Sequence, residues 1–582
     1  MAVDDAPGRD WRLTEVTPQM GEDARRLAAA LGVHEVTARC LVARGLTEAT
    51  VAGAWLAPRL GQLRPPLAPG LEMAGFADAV GRLTRAVTTG EVIGIFGDYD
   101  VDGVTTTALL TTFLRQVGAQ PVPRVARRGA GYGFGVADAD ALIDAGARLI
   151  VTVDCGTSDL ASIEHAKTRG VDVIVVDHHH VPDRPEHPAV AFLNPHRPDS
   201  AYPFRGLASA GLGFFLAAGL RTALDAVGWF ATRPAPDVRD LLDLAAIGTV
   251  ADLAPLTDEN RVLVSIGLAA IARVRRPGVV ALARLASLEL DRPTTEIDVG
   301  WKLGPRLNAP GRLGDATPAL ELLLATTDAE ANALAAVCER ANVERRSVQE
   351  HVVAEAVLQA ETQDAAALVV SGPWNPGVVG IVAAKLVERF GRPAAVIGVD
   401  PATGEGRGSV RTTGGFDVVA GLTACAAHLI RFGGHKAAGG FSIAPTSIDP
   451  FRAAFAAQAE RRSASREPLR VDAVIELGQV SDKLATELRS FAPFGPGNAE
   501  PVVATHGARV HSTRRVGEGG AHLKMVVAGL DAIAFRMGDR DPGPGATVDV
   551  AFRPEISYFR GTARVELRVH ELRPASAAPL GA

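Results

Sequence analysis

The stretch VIGIFGDYDVDG, residues 92 to 103, joins a short apolar run to three alternating aspartates and a closing glycine. The run has the composition of a buried β-strand, and Asp98, Asp100 and Asp102 follow where it ends. Aspartates at alternate positions before a glycine suit a loop that turns hard oxygen ligands towards metal ions. Taken alone, the segment is equally compatible with a turn or a helix N-cap, because aspartate favours both.

Further apolar runs follow, and helical stretches alternate with them. They are LIVTV (149–153), VDVIVV (171–176) and AVAFL (189–193). This alternation predicts a parallel sheet covered by helices, with ligands gathered at the carboxyl ends of its strands. Asp154 directly follows the first of these runs, in VTVDCG, and Asp177 follows the second, in VIVVDHHH.

Three histidines, His178, His179 and His180, come directly after Asp177. Imidazole together with carboxylate is the usual ligand set for manganese, iron or zinc. Asp252, in IGTVADLAPL, lies near a predicted helix end, where a lone aspartate is more often a cap or a solvated charge. Because three of the four acidic segments end strands of one sheet, we expect all four to form a common metal site.

The remaining patterns predict an α/β multidomain chain. Residues 317 to 363 are rich in Ala, Leu and Glu at helical spacing and predict a long connector helix or a helix pair. A second α/β segment follows, and short alternating runs after Val471 predict a small all-β barrel. The predicted division is an N-terminal segment (1–65), the first α/β domain (66–290), a helical connector (291–363), the second α/β domain (364–462) and the barrel (463–582).

The composition limits the class of protein to which this chain can belong. The chain has 582 residues, 47% of them hydrophobic and 22% charged, which is typical of folded protein. Its four cysteines lie far apart and predict neither a zinc knuckle nor a disulfide framework. The net charge of -6 does not exclude a local basic groove for nucleic acid. The acidic start and the lack of a long apolar stretch predict a soluble protein of the cytoplasm.

In this order, GDYDVDG, VDCG, DHHH and GTVADL resemble the four motifs of the DHH phosphoesterase superfamily. GWKLGPRLNAPGRLGDA (300–316), FGGHKAAGGFS (432–442) and PFGPGNAEP (493–501) narrow the resemblance to the RecJ branch, whose members are bacterial single-strand-specific 5′ to 3′ DNA exonucleases. The resemblance covers about residues 70 to 575. One departure is Ala130 in RRGAGYGFG, where relatives commonly carry an acidic residue, so the role of this loop is open.

The resemblance implies two divalent metal ions, with manganese preferred and magnesium possible. Asp154 would bridge the two ions, Asp98 and Asp100 would bind one, and Asp102, His178 and Asp252 would bind the other. His179 would face the scissile phosphate, and Asp177 would orient a neighbouring histidine. The implied catalytic residues are Asp154, His178 and His179.

The second α/β domain resembles the DHH-associated domain, and the barrel resembles an OB fold. Glycines that let backbone N–H groups approach an anion predict a phosphate site in the first of these. The predicted substrate-binding residues are Arg306, Asn308, Arg312, Ser371, Gly372, Arg411, Gly434, His435 and Lys436. In the barrel, the candidate DNA-binding residues are Arg514, Arg515, Lys524, Arg553, Arg560, Arg564, Tyr558 and Phe559.

The predicted function is therefore release of 5′-mononucleotides from single-stranded DNA in repair and recombination. The chain lacks a G-x-x-x-x-G-K-[ST] phosphate loop, so unwinding a duplex requires another protein. The resemblance implies a RecQ-type helicase and a single-stranded-DNA-binding protein as partners. Two alternatives compete: a DHH enzyme acting on small substrates such as dinucleotides, which would not need the connector and the barrel, and a non-catalytic scaffold, which would not need the four ligand motifs.

Overall fold

The computed structural model describes residues 10–576 except 16, 129–132, 183–185, 413, 460–467 and 560–561. The chain divides into two compact units. We call one the barrel unit (Met1–Arg59, Ser465–Phe494 and Asn498–Ala582) and the other the sheet unit (Leu60–Ala464 with Gly495–Gly497).

The elements are numbered in chain order. The barrel unit opens with β1 (Trp11–Leu13), α1 (Pro18–Leu31), α2 (Glu35–Val42) and α3 (Ala49–Leu56). The first half of the sheet unit has α4 (Phe76–Thr89), β2 (Val92–Gly97), α5 (Val101–Gln116), β3 (Gln120–Val125), α6 (Val136–Asp144), β4 (Leu149–Val153), α7 (Leu160–Thr168), β5 (Asp172–Val176), β6 (Ala191–Leu193), α8 (Ser209–Ala226), α9 (Leu242–Ala251), α10 (Asp258–Val274) and α11 (Pro277–Leu285).

The second half of the sheet unit has α12 (Glu296–Asp298), a π-helical turn (Val299–Leu303), α13 (Gly304–Leu313), α14 (Thr317–Leu324), α15 (Asp328–Glu361), β7 (Leu368–Gly372), α16 (Val379–Phe390), β8 (Ala394–Val399), β9 (Gly406–Arg411), α17 (Val418–Ala424), β10 (Arg431–His435), β11 (Ala438–Ile443) and α18 (Ile448–Gln458). The barrel unit is completed by β12 (Leu469–Val471), β13 (Ala473–Val474), α19 (Asp482–Arg489), β14 (Val503–Val516), β15 (His522–Val527), β16 (Leu530–Ala534), β17 (Thr547–Phe559) and β18 (Thr562–Pro574).

The first sheet has the order β3-β2-β4-β5-β6, and all its pairings are parallel, which confirms the predicted parallel sheet. Successive side chains of the inner strands lie on opposite faces of the sheet, and each face has its own hydrophobic cluster. Val151 belongs to one cluster and Ile150 to the other. Helices therefore cover both faces of this sheet, as the continuous apolar runs require. The strand that sequence patterning missed is β3, whose run is broken by Pro121 and Pro123. Because proline has no backbone N–H to donate to a neighbouring strand, it is tolerated at the edge of a sheet, and β3 is an edge strand.

The predicted connector is a helix pair, α14 and the 34-residue α15. The second sheet has the order β10-β11-β9-β8-β7, in which β7 and β8 are parallel and the other pairs antiparallel. The amide of Gln359 on α15 donates to the carbonyl of Ser371 at 2.9 Å and accepts from its N–H at 3.2 Å. The free edge of β7 is thereby closed by a side chain rather than by another strand.

The C-terminal strands form the predicted all-β barrel. The order β14-β15-β16-β18-β17 closes on itself through the pairing of β14 with β17. The sequence interpretation gave residues 1–65 a segment of their own, whereas residues 10–59 belong to the same compact unit as the barrel. β1 pairs with β12, and α1 to α3 share one hydrophobic core with the barrel strands. Among the described residues, no helix has both the length and the apolar composition needed to cross a bilayer.

Candidate metal centre

The acidic residues gather where the first sheet changes direction. After β2 the chain adds β3 on one side and β4 on the other, so the carboxyl ends of β2 and β4 flank a topological switch point. Such a point opens a crevice for ligands in parallel sheets. Asp98 follows β2, Asp154 follows β4 and Asp177 follows β5, while Asp252 comes from the end of α9.

In the part of the chain that the structure describes, three groups of side chains are close enough to hold a metal ion. Within each group the possible ligand atoms lie within 4.8 Å of one another. The groups are Asp98, Asp100 and Asp154; Asp102, His178 and Asp252; and Asp154, His178 and His179. The structure thus brings together all six residues that the sequence interpretation assigned as metal ligands, and Asp154 and His178 each belong to two of the groups.

His178 lies at the middle of these groups. Its Nε2 is 3.2 Å from Asp154 Oδ1, 3.8 Å from Asp102 Oδ2 and 3.9 Å from Asp252 Oδ2. Among the described residues, none forms a hydrogen bond with this buried nitrogen, and the same holds for the buried Oδ1 of Asp98. Buried polar atoms are normally paired, so two unsatisfied ones facing a cluster of carboxylates fit a site built around cations.

The GDYDVDG segment forms its loop for local reasons. Asp100 is the N-cap of α5, and its Oδ1 accepts from the N–H groups of Asp102 at 2.9 Å and Gly103 at 3.1 Å. Asp100 is therefore a helix N-cap, as the alternative interpretation of this segment held. It also belongs to one of the groups that could hold a metal ion. A side chain at Gly103 would place Cβ 2.5 Å from the carbonyl oxygen of Asp98, so only glycine lets α5 begin this close to β2.

The N-terminus of helix α8 binds the carboxylate of Asp102 through two backbone N–H groups. Asp102 Oδ2 accepts from the N–H of Ser209 at 2.7 Å, and its Oδ1 accepts from the N–H of Ala210 at 2.9 Å. These groups belong to the positive end of α8, which favours a carboxylate. Ser209 also donates from Oγ to Asp154 Oδ1 at 3.3 Å. Asp154 itself has a φ of 60°, a left-handed conformation that is strained for a residue with a side chain.

Mutual repulsion and burial make the carboxylates of this cluster hard to ionise. Burial and the charge of Asp100 raise the pKa values of Asp98 and Asp154 well above their ordinary value. Burial and Asp100 raise the pKa of Asp102 to about 7, and burial and Asp102 raise that of Asp252 to about 9. Divalent cations would remove this repulsion, so the donor set fits hard or borderline metal ions.

The two central histidines differ in charge. Burial and the neighbouring charge of His179 lower the pKa of His178 to about 4, so His178 is a neutral imidazole able to act as a ligand. Although burial opposes it, the hydrogen bond to Asp177 raises the pKa of His179 to about 9. His179 Nδ1 is 2.7 Å from Asp177 Oδ1, and Asp177 also accepts from the N–H groups of His178 and Thr157. His180 is exposed.

Two supporting residues were missed by sequence reasoning. The N–H of Thr157 donates to Asp177 Oδ2 at 3.0 Å. The fully buried Asn194 donates from Nδ2 to Thr157 Oγ1 at 3.1 Å and to the carbonyl of His179 at 2.8 Å. Asn194 directly follows β6, so the rule that found Asp98, Asp154 and Asp177 could also have found it.

A cluster of guanidinium groups forms the second feature of the sheet unit. Burial and the charge of Arg128 lower the pKa of Arg312 to about 10, and Arg345 and Arg411 add to this effect. Arg312 donates to the carbonyl of Gly377 at 3.1 Å, and Arg411 to Ser409 Oγ at 2.8 Å. In the described part of the chain, none of the four arginines forms an ion pair with a carboxylate. We call Arg128, Arg312, Arg345 and Arg411 the arginine cluster, and its unneutralised charge suits an anion.

The other predicted residues of the α13 segment have different surroundings. Arg306 is buried, and its guanidinium is ion-paired with Glu339 and donates to the carbonyl of Lys302 at 2.8 Å. These partners favour a packing role for Arg306 over a contact with DNA. Asn308 is half-buried on the same helix. Arg345, which joins the cluster from α15, was missed, because nothing local in a helical run of mixed charge distinguishes it.

The predicted glycine loop of the second sheet is a β-hairpin. Gly434 and His435 end β10, Lys436 begins the two-residue turn, and all three are exposed. Gly434 has a φ of 145°, and a side chain there would place Cβ 2.4 Å from the carbonyl of Ala438. The imidazole of His435 is partly shielded from water, and this shielding and the charges of His179 and His180 lower its pKa, so this hairpin lies near the histidine segment. Ser371 and Gly372 end β7 and are half-buried.

The predicted DNA-binding residues of the barrel differ in burial and in their ion pairs. Arg553 is buried and ion-paired with Glu500 and Glu555, so its charge is already neutralised within the barrel. The loop around Ala130 lies outside the described residues, as do Arg560 and the side chains of Tyr558 and Phe559. Arg514 and Arg515 are exposed, Arg564 is exposed, and Lys524 is half-exposed.

Family models match three regions of this chain. They are the DHH family N-terminal domain over residues 92–249, the DHHA1 domain over 362–461 and the RecJ OB domain over 471–571. A sheet with clustered acidic and histidine side chains at its carboxyl edge, followed by these two domains, defines a metal-dependent phosphoesterase of the DHH class.

Relatives and solved structures extend the match to most of the chain. The single-stranded-DNA-specific exonuclease RecJ of Bacillus subtilis is 34% identical over 94% of this chain and 69% of its own length. The crystal structure of RecJ with Mn2+ from Thermus thermophilus superposes with a TM-score of 0.83 at 30% identity, covering 98% of this chain and 80% of that one. Its Mg2+ complex gives a TM-score of 0.74 over 98% and 79%. The chain belongs to the RecJ family, which confirms the resemblance stated from its motifs.

Proposed function

We propose that this chain is a single-stranded-DNA-specific exonuclease that works from the 5′ end and releases 5′-mononucleotides by two-metal hydrolysis. The observation that supports this most directly is the pair of ligand groups that meet at Asp154, one made of carboxylates and the other containing His178. The relatives named above are single-stranded-DNA-specific exonucleases, and they share the three domains that carry these groups.

In this proposal Asp98 and Asp100 would hold one cation, Asp102, His178 and Asp252 would hold the other, and Asp154 would be shared by both. When bound, divalent cations activate water for attack on phosphorus and neutralise the negative charge that develops on the phosphate and leaving oxygens. Related structures have been determined with Mn2+ and with Mg2+. We propose manganese as the preferred ion, because a neutral imidazole belongs to the donor set.

The other residues act on the substrate. His179, kept cationic by Asp177, donates a hydrogen bond towards a non-bridging oxygen of the scissile phosphate. The strained backbone of Asp154, held by Ser209, keeps its carboxylate between the two groups. The attacking water forms a bond to phosphorus while the bond from phosphorus to the 3′ oxygen of the terminal nucleotide breaks, and that oxygen takes up a proton.

The strand is held by charge and by backbone groups. The arginine cluster binds consecutive phosphates, with Arg312 and Arg411 as its predicted members and Arg128 and Arg345 added by the structure. Ser371, Gly372, Gly434, His435 and Lys436 bind the 5′ end. Asn308 faces the following nucleotides, whereas Arg306 supports α13 through Glu339.

We also propose the substrate, the partners and the cellular location. Single-stranded DNA with a 5′ end is the substrate, and a RecQ-type helicase and a single-stranded-DNA-binding protein would supply it during repair and recombination in the cytoplasm. A small-substrate DHH enzyme is the competing proposal, but the arginine cluster disfavours it, because a dinucleotide has too few phosphates to occupy four unneutralised guanidinium groups.

The test is degradation of a 5′-phosphorylated single strand with Mn2+, beside a duplex, a 5′-blocked strand, a 3′-blocked strand and the Asp154→Ala protein. We expect mononucleotides from the free and the 3′-blocked strands only. Loss of the bridging carboxylate removes several kcal/mol of stabilisation, so Asp154→Ala should lower the rate by about 10³-fold or more. Inactivity on long strands with turnover of dinucleotides would establish the small-substrate enzyme instead.

A further inference from the structure

The guanidinium of Arg345 is held by two amide side chains of its own helix, α15. Its Nη2 donates to Asn342 Oδ1 at 2.7 Å, and its Nη1 donates to Gln349 Oε1 at 2.7 Å. Residues three and four positions apart lie on the same side of a helix, so Asn342 and Gln349 flank Arg345 along α15. Both acceptors are uncharged, so the guanidinium is fixed in place and keeps its full positive charge.

These contacts lie where water has little access. Asn342 is 0% exposed and Arg345 is 9% exposed. A buried arginine is normally paired with a carboxylate, because removing an unpaired charge from water is unfavourable. Burial and the charge of Arg346 lower the pKa of Arg345, and among the described carboxylates none forms an ion pair with it. The helix therefore keeps a buried positive charge that lowers the stability of the fold.

The amide of Asn342 adds a second unfavourable feature, an unsatisfied donor. A guanidinium has donors only, so Oδ1 of Asn342 must face it and Nδ2 must point elsewhere. Nδ2 is buried, and among the described residues none accepts a hydrogen bond from it. An aspartate at this position would have no such donor and would bind the guanidinium more strongly. Stability alone therefore does not favour the asparagine.

The preceding turn of α15 shows the other arrangement. Glu339, three residues before Asn342, forms an ion pair with Arg306 of α13. Arg306 is as buried as Arg345, at 8% against 9% exposed, but its charge is neutralised. The same helix thus presents a carboxylate to the arginine that packs α13 and an amide to the arginine that belongs to the arginine cluster.

The charge of Arg345 acts on the rest of the arginine cluster. Burial, Arg128 and Arg345 together lower the pKa of Arg312 to about 10, so the cations of the cluster repel one another. A bound anion would remove this repulsion. A carboxylate beside Arg345 would remove part of it permanently and would compete with the anion. The neutral acceptors leave that interaction to a ligand.

We propose that Asn342 and Gln349 are positioning residues that hold Arg345 for a phosphate of the DNA strand without neutralising its charge. The proposal rests on the proposed function, and it assigns a role to two uncharged side chains that act through Arg345. If the amides served only to pack α15, a carboxylate of the same shape would leave catalysis unchanged. If they keep the cation free, the same change lowers the affinity for the strand.

The experiment replaces the amide of Asn342 by a carboxylate of the same shape. Steady-state kinetics are measured on a 5′-phosphorylated single strand with Mn2+. Asn342→Asp should lower kcat/KM about 10-fold or more, as expected for the loss of one hydrogen bond to a charged group. The loss should appear in KM rather than in kcat, because the metal centre is unchanged. The melting temperature in EDTA should be equal to or higher than that of the wild type, because a buried unsatisfied donor is removed.

Salt dependence reports the charge itself. In Asn342→Asp the slope of log KM against log salt should fall by about 0.7, the contribution of one phosphate contact on a single strand. Asn332→Asp is the matched control, since Asn332 lies on the same helix and accepts from Arg284 at 3.2 Å. Both of these side chains are exposed and lie outside the arginine cluster, so KM and its salt dependence should not change.

Two further variants test whether the effect passes through Arg345. Gln349→Glu should reproduce the rise in KM, and because Gln349 is only half-buried, this variant remains informative if Asn342→Asp does not fold. In an Arg345→Gln background, Asn342→Asp should cause no further rise in KM.

The outcomes separate the two proposals. If Asn342→Asp and Gln349→Glu both behave like Asn332→Asp, the positioning role is overturned while the proposed function stands. Additive losses of Asn342→Asp and Arg345→Gln would also overturn it, because the amide would then act independently of the cation. A wild-type protein that is inactive on single strands would overturn the proposed function and the positioning role with it.

Discussion

Two adjacent histidines of the metal centre have opposite properties because of one carboxylate. Asp177 accepts from His179 Nδ1 and from two backbone N–H groups of its own segment. His179 is therefore cationic, and its charge helps to keep His178 neutral. In the proposed mechanism, one aspartate thus prepares one imidazole to bind a metal ion and the next to bind a phosphate.

Replacing His179 should separate catalysis from metal binding. We expect His179→Ala to lower kcat on single-stranded DNA by about 10²- to 10³-fold, since it removes a donor aimed at developing charge. The rise in melting temperature on adding Mn2+ should persist, because His178 and the carboxylates remain. His180→Ala is the control, since its imidazole is exposed. Loss of the Mn2+ effect in His179→Ala would instead make His179 a ligand.

Asp252 should destabilise the metal-free protein. Burial and the charge of Asp102 raise the pKa of Asp252 to about 9, so the folded state favours the protonated carboxyl. The stability that the protonated form contributes is complete below about pH 4 and is lost as the pH rises towards 9. In EDTA at neutral pH, Asp252→Asn should therefore melt roughly 1 °C higher than the wild type, as expected for about 1 kcal/mol in a unit as large as the sheet unit. The difference should grow from pH 5 to pH 9.

The same variant gives the opposite result with metal. Added Mn2+ should raise the melting temperature of the wild type more than that of Asp252→Asn, because the variant has lost one ligand. Equal shifts in the two proteins would remove Asp252 from the metal site. A lower melting temperature of the variant in EDTA would show that its carboxylate is not repelled.

At the scale of elements, the predictable features were those with a local cause. Apolar runs predicted β2, β4 and β5, and Asp98, Asp154 and Asp177 follow the ends of these strands as expected. The run of β3 was hidden by two prolines, and its edge position became evident only from the sheet order. The hairpin that holds Gly434 was predicted as a loop, because paired glycines favour turns as readily as a close approach of two strands.

The packing of α9 on α5 should control the distance between Asp102 and Asp252, two of the proposed metal ligands. A side chain at Gly248 would place Cβ 2.4 Å from Thr105 Oγ1 and 2.9 Å from Asp102 Oδ1. Gly248→Ala should push α9, and with it Asp252, away from Asp102. We expect a loss of about 1–3 kcal/mol of stability, measured by denaturant unfolding, and weaker Mn2+ binding by calorimetry.

A second helical glycine gives the matched control. Gly81 on α4 has open space around it, so Gly81→Ala should stabilise the protein by roughly 0.5–1 kcal/mol through helix propensity. Mn2+ affinity should be unchanged in this variant. If Gly248→Ala bound Mn2+ as tightly as Gly81→Ala does, the contact between α9 and α5 would not control the geometry of the ligands.

At the scale of the whole molecule, sequence patterns do not show which distant segments share a core. Nothing in α2 indicates that its partner follows more than 400 residues later, yet Glu487 on α19 accepts from the N–H of His34 at 2.8 Å and from Thr37 at 2.6 Å. Trp55 packs edge-on against Phe491 with ring centroids 5.1 Å apart. The arginine cluster is a similar case, since Arg345 joins Arg312 from another helix.

The N-terminal helices should therefore be structural parts of the barrel unit. Leu41 on α2 is fully buried in the core that also contains the barrel strands. Leu41→Ala should cost about 2–5 kcal/mol, the usual loss for a buried leucine. Hydrogen exchange should then accelerate in β14 to β18 as well as in α2, because one core is shared. Val51→Ala, at a side chain that is 54% exposed, should change exchange little. Faster exchange confined to α1, α2 and α3 would show that these helices only rest on a barrel that is stable without them.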